Sequence, residues 1–229
     1  MFNKVKISFA LSVVSVVLIL TLTILNTGMT IYNPTKDMTA TILNEVEPYG
    51  TDYIVDSSMS SSADPIVISE GVNGLNFTYD GLNYVHLSDM KNEVVKVGTG
   101  KEGVYTGKLT GYGPDCPGCS TVGNVACPTK NGSKHSLIND GIYYDDEVYG
   151  KVRILAADNS AFPCGTIIKL NNGKLKEFYG IVLDTGSSMR GAWKNGVVWM
   201  DLAFSSQKEA KTGGATSSNT KFSVQRWGW

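Results

Sequence analysis

A chain of 229 residues, 42% hydrophobic and 18% charged, carries enough apolar side chains for a packed core, which excludes a disordered or collagen-like polymer. With 20 Lys and Arg against 21 Asp and Glu, the net charge is −1, so no basic excess exists to hold phosphates. Nucleic acid is excluded as a partner on that ground.

Residues 1–30 hold only two charges, Lys4 and Lys6. Between residues 7 and 26 the chain is uncharged and rich in Val, Leu and Ile, and about 20 such residues suffice to span a bilayer as a helix. The next cation is Lys36, so the positive-inside rule places the N-terminus in the cytoplasm and the rest outside the cell membrane, as a single-pass anchored protein. A cleaved signal peptide, which would make the protein secreted, is the competing reading. Its apolar region would run only about 7 to 15 residues before a small-x-small cleavage site, and Thr27, Gly28 and Met29 form no such site. Residues 1–29 are therefore assigned as the anchor.

Residues 30–64 are rich in Thr, Ser, Asp and Asn and end in the run 57–62, a composition expected to form a polar stalk. From Pro65 the pattern changes. Apolar residues at 66–68, alternation at Leu75, Phe77 and Tyr79, and the groups 84–87 and 94–97 predict short strands in a small β-rich linker over 65–102.

Residues 103–229 carry the strongest β signal. Candidate strands are 105–112, 153–157, 166–170, 177–183, 197–204 and 221–227, with one helix predicted over 205–211. Six strands in about 125 residues suit a small closed barrel, since closure removes exposed edges. The fold class is thus mainly β, with a six-stranded barrel at the C-terminal end, and the chain is read as a monomer.

Four cysteines, Cys116, Cys119, Cys127 and Cys164, all fall in this segment. Outside the membrane an even count suggests disulfides, Cys116 with Cys119 and Cys127 with Cys164; free thiols, or a C-x-x-C half-site for zinc, are the alternatives. No metal or other cofactor is required by the chemistry inferred below. His135 sits in a polar loop and reads as an exposed histidine, and no G-x-S-x-G surrounds any serine, so a nucleophilic triad lacks support.

The carboxylates are more informative. Asp158, Asp184 and Asp201 each lie at or inside an apolar strand, where a charge is costly unless paired or used. A carboxyl held among apolar groups keeps its proton to higher pH, which suits a general acid, and Asp201 in mid-strand fits best. The run Leu183-Asp184-Thr185-Gly186-Ser187-Ser188 looks like one half of an aspartic-protease site, but there is no second D-T-G or D-S-G to share its proton.

Together these motifs carry a family resemblance. Residues 112–120 (Tyr-Gly-Pro-Asp-Cys-Pro-Gly-Cys-Ser), Ala156-Ala157-Asp158, 162–166, Asp184-Thr185-Gly186, Asp201-Leu202-Ala203-Phe204 and Glu209-Ala210 are similar, in that order, to the 3D domain. That domain is named for three aspartates and is shared with MltA-type lytic transglycosylases and the stationary-phase muralytic factors. The resemblance implies a double-psi β-barrel that cuts peptidoglycan. It implies Asp201 as catalytic acid and base, supported by Asp184 and Asp158; Tyr112, Thr185, Gly186, Trp193 and Trp199 are the expected substrate contacts. The segment 190–196 is longer than the family pattern. Residues 67–98, with Glu70-Gly71-Val72-Asn73-Gly74, resemble the end of a G5 module, a wall-associated β domain. A non-catalytic wall-binding barrel, in which Trp193, Trp199, Tyr112 and Tyr179 stack on sugar faces while the aspartates bond to hydroxyls, is the alternative function.

Overall fold

The structure is a computed structural model that describes residues 29–33, 38–79, 83–117, 119 and 122–229. The apolar run read as the membrane anchor lies outside the described residues. Among the described residues no helix is long and apolar enough to cross a membrane. The chain divides into two compact units, Met1–Tyr53 with Val67–Val95, and Ile54–Ile66 with Lys96–Trp229.

In the first unit, β1 (Met29–Asn33), β2 (Met38–Glu47), β5 (Gly74–Tyr79) and β6 (Asn83–Ser88) form one antiparallel sheet in the order β1-β2-β5-β6. The register of β2 with β5 pairs Val46 with Leu75 and Ile42 with Tyr79. The stretch expected as a polar stalk is therefore stranded: besides β1 and β2 it holds β3 (Thr51–Ser60). Within the second unit, Met59 and Ser60 of this stretch are buried. The serines tolerate burial because each polar group finds a partner: Ser60 Oγ meets Ser62 Oγ at 2.8 Å, and Ser58 N–H and Oγ–H both donate to Asp56. The linker contributes β4 (Ile66–Ser69) and β7 (Glu93–Gly100) as well as β5 and β6.

The second unit is built on β8 (Val104–Tyr112), β12 (Gly150–Ala156), β13 (Ile167–Asn171), β14 (Phe178–Asp184), β15 (Trp199–Ala203) and β16 (Ser217–Arg226). They pair in the order β13-β14-β12-β15-β8-β16, and β16 returns to β13 through five residue pairs, which closes a six-stranded barrel. Between them lie β9 (Asn124–Pro128), β10 (Lys134–Ser136) and β11 (Tyr143–Asp146), with helices α1 (Ser187–Lys194) and α2 (Gln207–Thr212). Two pairings, β8 with β15 and β12 with β14, are parallel.

Alternation along the strands divides the core in two. Leu109, Leu155, Val182, Met200, Leu202 and Phe222 fill the barrel interior. Ile154, Ile181, Leu183 and Ala203 point outward, where Val125 and Cys127 of β9 and Leu137 cover them. This second layer explains the continuous apolar run Ile181-Val182-Leu183, because a strand buried on both faces needs no polar alternation.

Helix α2 matches the helix predicted over 205–211 and opens on a serine N-cap: Ser206 Oγ accepts from the Glu209 amide, while the Glu209 carboxylate accepts from the amide and hydroxyl of Ser205. Helix α1 was not predicted. It absorbs the long segment after Asp184, and Gly196, at φ +74°, turns the chain back into β15.

Away from these layers, Arg226 grips Asp146 through Nη1 at 3.2 Å and Nη2 at 2.7 Å, and the carboxylate is almost wholly buried. Burial pushes the Asp146 pKa up, but Arg226 and the amides of Val148 and Tyr149 outweigh it and hold the carboxyl below its ordinary value. A depressed native pKa contributes stability above the unfolded value, and that contribution is lost as pH falls through the native one. Arg226→Leu is expected to cost about 3 kcal/mol at neutral pH by stranding a buried charge. Denaturant unfolding should show that deficit narrowing as pH falls through the depressed native pKa of Asp146, below which the carboxyl is protonated in both proteins; a deficit that stayed constant with pH would contradict the assignment.

Candidate active site

The outer face of the barrel carries a row of neighbours, Asp184 on β14, Ala156 on β12, Asp201 on β15 and Thr110 on β8. Ala156 is the register partner of both aspartates. Regular pairing would set Leu183 opposite Ala156, since Leu155 pairs with Val182; a bulge between Leu155 and Ala156 brings Asp184 there instead. With strands about 4.8 Å apart, the two aspartate backbones lie about 10 Å apart across the small Ala156.

A cleft of about 610 Å³ opens over this row. Its lining includes Thr110, Tyr112, Ala156, Asp184, Thr185, Gly186, Trp199, Asp201, Cys116 and Cys119. Gly113, beside Tyr112, lets the loop after β8 close against α2, for a Cβ there would lie 2.2 Å from the Gln207 amide nitrogen. Gln207 accepts from the Gly113 N–H, and Asp115 accepts from the Gln207 N–H, which fastens this wall of the cleft.

The two carboxyls are held differently. Asp184 has both oxygens engaged: Oδ1 accepts from the amides of Ala126 at 3.1 Å and Thr185 at 2.9 Å, and Oδ2 accepts from the Tyr112 hydroxyl at 2.8 Å. Asp201 uses only Oδ1, which accepts from the Thr110 hydroxyl and from Trp199 Nε1 at 3.3 Å. Trp199 Nε1 also donates to Thr110 Oγ1 at 2.7 Å, so the indole orients the hydroxyl that orients the carboxyl. Lys108 lies over the Trp199 ring, 3.7 Å from its centroid. Asp201 Oδ2 has no hydrogen-bond partner among the described residues, and no hydrogen bond joins Asp184 to Asp201.

Burial raises the pKa of both groups. For Asp201 the Trp199 hydrogen bond and the Lys108 charge pull down against it, while the Asp184 charge adds to the rise. For Asp184 the three donors pull down. Tyr112 is pushed well above the ordinary phenol value by burial and by Asp184, so it remains a donor.

Several residues singled out in the sequence lie elsewhere. Asp158 does not line the cleft; it is buried, and its Oδ1 accepts from the Ser160 amide and hydroxyl in a local turn. Trp193, expected as a substrate platform, packs edge-on against Tyr105 and Phe162 at the barrel core, because the unpredicted α1 turns it inward. Tyr179 packs on Tyr149. His135 is buried, not exposed, with Nε2 2.7 Å from the Gly141 carbonyl. Cys116 is joined to Cys119 in the cleft wall and Cys127 to Cys164, with Cα separations of 5.3 and 5.8 Å. Thr110, Lys108 and the Ala126 amide were not foreseen; strand alternation would have put Thr110 on one face with Tyr112, but nothing local marks Ala126.

Searches against protein-family models, curated proteins and solved structures return no match for this chain.

The floor of the cleft is testable by filling it. Ala156→Leu would set a large side chain between the carboxyls, costing about 1–3 kcal/mol through overpacking and more than tenfold in any activity of the cleft. Unfolding and turnover measured on the same preparation check both expectations.

Proposed function

We propose that this protein is a peptidoglycan lytic transglycosylase of the 3D-domain type, a lyase that cleaves the β-1,4 bond between N-acetylmuramic acid and N-acetylglucosamine. The observation that carries the reading is the asymmetry of the two cleft carboxyls. Burial raises the pKa of both, but Asp184 is anchored by three donors through both oxygens and suits a fixed anion, whereas Asp201 keeps Oδ2 free of any partner among the described residues, as a proton donor requires.

In this mechanism Asp201 Oδ2–H protonates the glycosidic oxygen, and the C1–O bond breaks through an oxocarbenium-like state that the Asp184 charge stabilises. The muramic acid C6 hydroxyl then attacks C1, and the Asp201 carboxylate takes its proton, which restores the acid and leaves a 1,6-anhydro ring. Water is not consumed, so one acid/base suffices, and the mechanism calls for no metal or other cofactor. The parallel pairs inside an otherwise antiparallel closed barrel support a double-psi connectivity. The apolar N-terminal run supports placement at the outer face of the cell membrane, with the barrel as a monomer facing the wall; the G5-like strands suit a spacer there.

Incubation with purified sacculi should release 1,6-anhydro muropeptides detectable by mass spectrometry. Reducing-end sugars would indicate a hydrolase, and retained binding without products would indicate the wall-binding alternative. Because the acid must be protonated, the rate should fall as pH rises through the elevated native pKa of Asp201. A rate that climbed steadily into alkali would speak against Asp201 as the acid.

A further inference from the structure

A second pocket of about 360 Å³ lies on the same unit, lined by Tyr144, Trp229, Asn131, Asp145, Lys130 and Glu147, among others. Trp229 is 40% exposed, yet its ring is firmly seated. Behind it is Gly165, at φ +87°, where a Cβ would stand 2.4 Å from the indole, so only a glycine lets the ring lie against the backbone. Tyr144 meets it edge-on at 5.8 Å and is itself braced by His135 at 6.5 Å. The result is a pre-positioned aromatic wall.

The polar lining suits a neutral, hydroxylated ligand. Lys130 is neutralised by Glu147 at 2.6 Å. Asn131 Oδ1 is used by Thr129 and Ser133, which leaves its Nδ2 to donate. The Asp145 carboxylate makes no ion pair or hydrogen bond among the described residues and is available to accept. A pyranose has C–H faces that pack on an indole and equatorial hydroxyls that need donors and acceptors at its rim. Asp145, Asp146 and Glu147 line the pocket against a single lining cation, Lys130, so an anionic group would be repelled, which favours the uncharged N-acetylglucosamine of a strand over its lactyl-bearing muramic acid.

We infer that this pocket is a secondary saccharide-binding site that holds a sugar of the glycan strand outside the cleft. The inference rests on the reading of the cleft given above. The two sites are linked by one segment: Asn124 lines the cleft and Lys130 the second pocket, six residues apart and about 20 Å along an extended chain. A glycan long enough to reach both would be held better than a short fragment.

The test is sedimentation binding of the full chain, carrying Asp201→Asn to prevent cleavage, to peptide-free glycan strands. Trp229→Ala should weaken binding about tenfold, as loss of a central aromatic contact does, and Trp229→Phe should fall in between. In the active background, Trp229→Ala should slow cleavage of long strands and leave a tetrasaccharide unaffected. Unchanged glycan binding by Trp229→Ala, or a loss seen only with peptide-bearing wall, would overturn the inference. If Trp229→Ala weakens binding but no 1,6-anhydro product ever forms, the saccharide site stands and the reading of the cleft fails; products with unaltered Trp229→Ala binding give the reverse.

Discussion

Asp201→Asn is expected to abolish wall cleavage, with a loss of at least about 10²-fold, because in the proposed mechanism one carboxyl serves both proton transfers and the amide can perform neither. The substitution keeps an oxygen for Thr110 and Trp199, so the fold should persist. It should even gain stability at neutral pH. A raised native pKa means that burying the ionised form costs free energy, so the parent becomes more stable as pH falls through that pKa, and the amide removes the cost altogether. The melting temperature of Asp201→Asn should therefore exceed that of the parent at neutral pH, and the gap should shrink on acidification. Asp184→Asn should slow cleavage less completely, through lost charge stabilisation and a changed Asp201 pKa. Full activity in Asp201→Asn with loss in Asp184→Asn would move the acid/base role to Asp184, and full activity in both would end the transglycosylase reading. Thr110→Val, which removes the hydroxyl that Trp199 and Asp201 share, should lower turnover and shift the pH profile without altering the barrel.

Removal of the bond between Cys127 and Cys164 should have the largest effect on stability. The two residues are 37 apart in the chain, and opening a loop of that size restores denatured-state entropy worth about 4 kcal/mol on the loop-closure account. The effect should reach the cleft as well. Cys127 lies next to Ala126, whose amide donates to Asp184, and the bond ties β9 to the turn before β13. The paired Cys127→Ala, Cys164→Ala variant is expected to melt at a markedly lower temperature and to lose activity below that temperature as β9 loosens. Calorimetry and product release measured side by side check this; a variant as stable as the parent would show that the packing of β9 alone holds the hairpin. The bond between Cys116 and Cys119 closes only a short loop, so its loss should bear on the cleft wall more than on the melting temperature.

Six strands over 103–229, the helix at Gln207–Thr212 and the apolar setting of Asp201 were legible in the chain itself, because each rests on local pattern: alternation, a run of helix-favouring residues, a charge inside an apolar run. Those signals concern neighbours in sequence, and they say nothing of which strand lies beside which. Register alone decided that Asp184 and Asp201 flank Ala156, and a one-residue bulge, invisible to alternation, turned Asp184 into the cleft where Leu183 would have stood. Asp158 and Asp201 look alike in sequence, both at the ends or centres of apolar strands. Tertiary structure separates them, since Asp158 spends its carboxyl on its own turn while Asp201 faces open space. Trp193 was misplaced for a related reason: Ser187–Lys194 lacks a side-chain cap and an acidic first turn, the local marks of a helix start, so its helix depends on the burial of Met189 and the packing of Trp193 against the barrel core. The serine-rich stretch before the barrel reads as solvated by composition, yet burial depends on whether each hydroxyl finds a partner, and that is settled by the strands around it.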